Sequence, residues 1–467
     1  MRISSTMRRS AARVGTVGLA AACLFAARPL PARAIPRFAA RTGMECIECH
    51  MNPSGGGMRN EFGRNVFERA MLPMGSFDPR WLDVGAPPAL GATAGDAPAA
   101  DAASAPPAEG AGDAAGGEAA AASAQEPAEG PSDPAVSFSG NITEWLAVGA
   151  DFRAAYIYIR PDRGAMPDTP RNITSSFFLM QSDLYTGATL NDNVRLVVDI
   201  GVYSGFEAWG LFNATNDPEV DLYVKVGRFM PTYGIREVEH QLFTREGIGI
   251  GTSDRDTGIE LTAFLGPVTA SLAVVNGTLG DTPFDSHGTE RRTFEKALVS
   301  RVALRMHPGP FRLQLGGSFY FNDDVSQPNP LFGRSIPPAL AADAATGLDE
   351  VRAGVFVTAN LGRVTYLGDL DWVHDSFYAQ TLDPISGYAS YQELSFTITN
   401  GLDLIGTFEF MDPDMDLADN QLLRAGVVLE AFPWPFVELR AMVRRLWADR
   451  SPTGGSWDAV LFAHLFM

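Results

Sequence analysis

From Val136 to Met467 the sequence alternates apolar and polar residues with period two, one short segment after another. That is the strand repeat, in which successive side chains point to opposite faces. In VRAGVFVTANL, Val351, Ala353, Val355, Val357, Ala359 and Leu361 form one face. Arg352, Gly354, Thr358 and Asn360, with Phe356, form the other. NVRLVVDIGVY sets Val194, Leu196, Val198, Ile200 and Val202 against Arg195 and Asp199. FRLQLGGSFYF and VELRAMVRRLW repeat the pattern, and the closing SWDAVLFAHLFM turns Trp457, Leu461, Leu465 and Met467 outward.

Alternation fits a soluble sandwich as well as a membrane barrel, so a second feature must decide. Turn lengths do so. Tight turns fall at Gly266-Pro267, His307–Pro310, Gly362-Arg363, Asn400–Asp403 and Pro433–Pro435. Between them lie long polar stretches, Phe229–Thr257, Asn276–Ala297, Asn322–Val351, Asp375–Ala389 and Met411–Gln421. Short turns on one side and long loops on the other, with charges confined to one strand face, predict an all-β fold. The expected architecture is an outer-membrane antiparallel β-barrel of about 16 strands, both ends on the periplasmic side.

The remainder of the chain is of a different kind. Residues 1–34 carry a basic start (Arg2, Arg8, Arg9, Arg13), an apolar run too short for a stable anchor, and Ala32-Arg33-Ala34 as cleavage site. Residues 85–135 are almost wholly Ala, Pro, Gly, Ser, Glu and Asp. They cannot bury enough apolar surface to fold and are expected to be a disordered tether, spanning about 40 Å as a flexible coil. The formal charge is −19, and loss of the six leader arginines takes it to about −25. Nucleic acid is therefore not an expected partner, since phosphates require a basic footprint.

Between leader and tether, residues 35–84 hold Cys46, Cys49 and His50 in the spacing C-x-x-C-H. Some fifty residues cannot build a self-sufficient core. In an exported chain this spacing attaches c-type haem: two thiols add to the porphyrin vinyl groups, and the next imidazole reaches the iron. Cys46 and Cys49 are thus the expected thioether anchors of one covalent haem c, and His50 the proximal ligand. A redox dithiol lacks its βαβ setting here, and a zinc site lacks a second ligand pair. The distal position is open between a methionine (Met58, Met71 or Met74, with Met44 and Met51 also nearby) and no protein ligand. Gly55-Gly56-Gly57 permits a tight turn or close passage by a macrocycle. Arg59–Met71 is expected to form one helix.

FAARTGMECIECH followed by NEFGRNVF resembles the start of the fused cytochrome–porins, outer-membrane proteins in which one c-type haem precedes a barrel. Phe38, Arg41, Gly43, Cys46, Cys49, His50, Asn60, Phe62, Gly63 and Arg64 fit that pattern. VDLYVKVGRFMPTYGIR is similar to a strand-and-loop segment of such porins. NPSGGGMR and the long tether depart from the iron-oxidising members. The resemblance implies electron transfer at the outer membrane, with extracellular ferrous iron as donor and a periplasmic cytochrome as partner. Whether the haem enters the lumen or hangs in the periplasm stays open.

The expected lumen-facing charges balance. Asp151, Asp183, Asp199, Glu260, Asp369, Asp371, Glu393, Glu409, Glu430 and Glu438 face Arg153, Arg195, Lys225, Arg301, Arg305, Arg312, Arg352, Arg424, Arg440 and Arg444. A selective pore would show an excess of one sign, so cross-strand pairing and a filled lumen are expected. Asp412, Asp414 and Asp416, with Asp419, offer oxygen ligands for a divalent cation. The expected function is electron transfer across the outer membrane. The alternative is a diffusion porin for small solutes, with the haem segment as sensor or docking arm.

Overall fold

The computed structural model describes residues 36–74, 140–162, 173–202, 205–215, 220–237, 239, 241–251, 254–277, 296–325, 348–377, 383–448 and 455–467. The expected leader (1–34) and tether (85–135) lie outside them, as do His240 and His287.

The alternating region forms β1 (Leu146–Pro161), β2 (Thr174–Asn191), β3 (Val194–Val202), β4 (Gly205–Asn213), β5 (Val220–Phe229), β6 (Asp256–Leu265), β7 (Val268–Val275) and β8 (Ala297–Met306). It continues with β9 (Phe311–Val325), β10 (Leu348–Leu361), β11 (Val364–Phe377), β12 (Ile385–Thr399), β13 (Leu402–Asp412), β14 (Leu422–Trp434), β15 (Val437–Ala448) and β16 (Gly455–Phe466). Each strand pairs with its neighbours in sequence, and β16 closes on β1, from Asp151↔Phe466 to Pro161↔Ser456. The result is a closed 16-strand antiparallel barrel. Closure removes the unpaired edge that an open sheet would offer.

Burial follows the predicted faces. In β13, Leu404 and Phe408 are exposed, whereas Asp403, Ile405 and Glu409 are buried. Val355, Leu361, Val427, Val443, Leu461 and Leu465 are exposed on other strands, while Arg352, Arg424, Arg440 and Arg444 are buried. In water such an apolar exterior would cost about 25 cal/mol per Å²; in lipid it is the stable arrangement. Exposed aromatics gather at both ends: Trp145, Phe212, Phe396 and Trp434 toward the short turns, Phe177, Trp372, Trp447 and Trp457 toward the long loops. These are the interfacial girdles of an outer-membrane barrel, with the short turns on the periplasmic side. The described strands therefore have the architecture of an outer-membrane β-barrel.

Strand ends shorten some of the expected loops: β9 runs to Val325 and β10 starts at Leu348 within the stretch 322–351. β11 and β12 continue into the stretch 375–389 as far as Phe377 and from Ile385 onward, because the ladder extends to Asp375↔Ile385.

Candidate functional site

Residues 36–74 lie in the barrel at its short-turn end. They form α1 (Pro36–Thr42), α2 (Cys46–Cys49) and a wide π-helix (Gly63–Met71). The helix expected over 59–71 begins at Glu61 and is π-helical over most of its length, closing with Leu72 N–H on the Phe67 carbonyl at 2.9 Å.

Wall residues anchor the segment on many sides. Arg37 of α1 pairs with Glu393 of β12 at 2.9 Å and with Glu430 of β14. Arg41 forks onto Asp403 of β13 with two contacts of 2.8 Å. Glu45 pairs with Arg305 of β8, and Asn52 accepts from Lys225 of β5 at 3.2 Å. Arg59 reaches Asp151 of β1 at 3.2 Å. At the far end, the Asn400 amide donates to the Met71 and Pro73 carbonyls, and Met74 N–H to Phe432 O at 2.8 Å. The segment's apolar residues Phe67 and Leu72 cluster with Phe432 and Phe466 of the wall, and Phe38 packs edge-on against Phe67 and Phe432. A segment too short for its own core thus borrows one.

Within it, Cys46, Cys49 and His50 form one helical turn and its exit. His50 N–H bonds Cys46 O at 2.9 Å, and His50 pairs with Arg59 in a short antiparallel bridge. Asn60 fixes the turn from the other side: its amide donates to Ile47 O at 2.8 Å, and its N–H to Cys49 O at 2.9 Å. Gly63 comes so close that a Cβ there would lie 2.2 Å from Cys49 O. Gly55, Gly56 and Gly57 all have φ between 62° and 82°, the left-handed region in which glycine carries no Cβ penalty. The motif's downstream Asn60 and Gly63 are therefore the residues that hold the C-x-x-C-H turn.

Neither cysteine is in a disulfide; Cys49 is buried and Cys46 partly so. Burial raises the pKa of both, keeping them protonated. The His50 ring is buried; burial, with Arg59 and Arg236 nearby, lowers its pKa to about 3. It is thus neutral at any physiological pH, the form a metal requires. His50 Nδ1 makes no hydrogen bond with the described residues.

From the opposite end the long β5–β6 loop folds into the lumen. Tyr233 donates to Asp371 at 2.7 Å, Gly234 N–H to Ser318 at 2.8 Å and Phe243 N–H to Glu409 at 3.0 Å. Arg352 donates to Ile248 O at 2.7 Å. The loop reaches the segment: a Cβ on Gly56 would lie 2.7 Å from the Arg236 guanidinium. A cavity of about 310 Å³ remains there, lined among others by Cys46, Cys49, His50, Met230, Arg236 and His464. Elsewhere on the barrel wall buried charges pair across strands, as the balanced set predicted: Lys225 with Glu260 at 2.6 Å, Arg424 with Glu409 at 2.7 Å, Arg444 with Asp458 at 2.6 Å.

The candidate distal ligands do not converge on this cavity. Met58 packs on the wall, where a Cβ on Gly149 would touch its sulfur at 3.3 Å; Met71 joins the Phe67 and Leu72 cluster; Met74 is exposed at the rim. Met230 and His464, both buried, do line it. Neither residue stood out in the sequence: His464 lies in a strand far from the motif, and Met230 in a stretch read as a long polar loop.

The aspartate loop likewise gathers no ligand set. Asp412 lies at the end of β13, accepting from Asp414 N–H at 3.3 Å and from Gln421 at 3.1 Å. Asp414 accepts from Asp416 N–H at 3.1 Å. These carboxylates stabilise turns, and among the described residues no group of three His, Cys, Asp or Glu is placed to hold a metal ion.

No protein-family model matches the chain, and no curated protein does. Among solved structures it is similar to a loop-deletion mutant of OmpT, an outer membrane protein of Vibrio cholerae, at 11% identity and TM-score 0.47, covering 69% of this chain and 99% of that one. An anion-selective porin from Comamonas acidovorans gives the same identity, TM-score and coverage. The outer membrane channel DcaP of Acinetobacter baumannii follows at 11% identity and TM-score 0.44, covering 69% of this chain and 97% of that one.

Proposed function

We propose that Cys46 and Cys49 hold one haem c by thioether bonds, with His50 as proximal ligand. In this reading the protein passes single electrons between the cell exterior and a soluble periplasmic cytochrome. The supporting observation is the C-x-x-C-H turn fixed inside the barrel mouth, with two cysteines outside any disulfide and a neutral buried imidazole lining one cavity. When bound, the haem supplies a one-electron couple. The chain anchors it, keeps water from it and orients it: Asn60 and Gly63 set the turn, and Arg37, Arg41 and Glu45 tie it to the wall. One macrocycle cannot bridge an apolar band about 25 Å tall. The outer donor must therefore approach through the lumen as far as the β5–β6 loop. Ferrous iron as that donor rests on the resemblance in the first residues.

A second reading is a channel for small solutes, with the segment as a docking arm. The barrel by itself favours it more directly, since sixteen strands enclose a bore of aqueous width without any cofactor. Proteoliposomes separate the two. Electron transfer predicts reduction of the haem by an impermeant reductant at the long-loop face, with entrapped small solutes retained. Rapid solute loss with the haem left oxidised would contradict it and support the channel.

A further inference from the structure

We propose that His464 of β16 supplies the second axial ligand to the haem iron, an inference that rests on the haem reading above. His464 is 3% exposed and lines the same cavity as Cys46, Cys49 and His50. Its Nδ1 lies 2.8 Å from Glu438 Oε2, on the strand beside it in register. A carboxylate there holds the N–H on Nδ1 and leaves the Nε2 lone pair free, the arrangement by which proteins orient histidines toward metals. Nε2 makes no hydrogen bond among the described residues; Asp151 Oδ1 lies 3.5 Å away. A buried acceptor without a hydrogen bond is destabilising, and coordination would satisfy it.

Position agrees with chemistry. Asp151 also meets Arg59 at 3.2 Å, and Arg59 pairs with His50 across the bridge. The Arg59–Asp151 ion pair thus ties the backbone bridge of His50 to β1, the strand beside β16. The methionines of the segment do not line the cavity, whereas Met230 does. With His464 as ligand, docking of the segment and completion of the iron's coordination become one event.

The test is spectroscopy of full-length protein matured with haem c. Wild type should be low-spin with the electron paramagnetic resonance signature of two histidines. His464→Ala should be high-spin, and free imidazole should restore the low-spin form. Glu438→Gln, a milder change, should give a mixture of the two. A low-spin His464→Ala protein would overturn the assignment. So would a sulfur-to-iron charge-transfer band in wild type that disappears in Met230→Ala. Protein without covalent haem would instead overturn the haem reading itself, and this assignment with it.

Discussion

Every β13 residue from Leu402 to Met411 has a strand partner on β14, and Leu404 and Phe408 turn away from the rest of the chain. In residues 36–74, Phe38, Phe67 and Leu72 turn toward another part of the chain, and Arg37, Arg41 and Glu45 pair with charges of the wall. The wall's strand ladder closes without the segment; the segment has neither a ladder nor a core without the wall. Dependence therefore runs one way, and the haem motif belongs to the dependent part.

Deletion is the bluntest way to break that comparison. Removing residues 36–74 should leave a barrel that still folds into lipid and keeps its β-sheet circular dichroism, whereas the isolated segment should be unfolded in water. A chain that fails to insert without the segment would refute the one-way dependence. Next in size is Arg37→Ala. It strands two buried carboxylates, Glu393 and Glu430, and such losses cost about 3–5 kcal/mol. The segment should become open to protease while the barrel stays intact. Gly63→Ala places a methyl against Cys49 O and should weaken the turn by about 1–3 kcal/mol. It should be read as faster amide exchange over residues 46–60 than in wild type.

The smallest effect is a pH dependence. Burial, with Glu393 close by, raises the pKa of Glu237 in the β5–β6 loop to about 8. A carboxyl raised on folding binds more protons in the docked state than in the undocked one. Its contribution is therefore full below about 4.5, the usual glutamate range, and declines as pH rises through 8. Amide exchange in residues 230–237 should quicken across that window in wild type and much less in Glu237→Gln.

The same one-way dependence explains what was legible in the sequence. The wall announced itself because the strand period is local: Val351 to Leu361 show their two faces without reference to any other segment. The C-x-x-C-H was legible because three residues carry its chemistry. What the sequence hid are contacts between distant residues. Arg37 meets Glu393 and Glu430 across more than 350 positions. The loop after Phe229 is polar enough to read as external, yet Tyr233, Phe243 and Ile248 are buried in the lumen by wall partners on β11, β13 and β10. Met58, Met71 and Met74 were reasonable ligand candidates by proximity in sequence, but the wall claims Met58 and the aromatic cluster Met71. The π-helical form of Gly63–Met71 has no periodicity signal that would set it apart from an α-helix over nine residues.

The central claim is that the C-x-x-C-H turn carries porphyrin while docked in the barrel. Its most direct measurement is the intact mass and absorption spectrum of the full chain extracted from outer membranes of a host that matures c-type cytochromes. The expected result is one covalently bound haem per chain, lost in Cys46→Ala/Cys49→Ala while the barrel is still recovered from the membrane. Membrane-inserted protein with both thiols free to react with an alkylating reagent under denaturing conditions, and no haem absorbance, would contradict it.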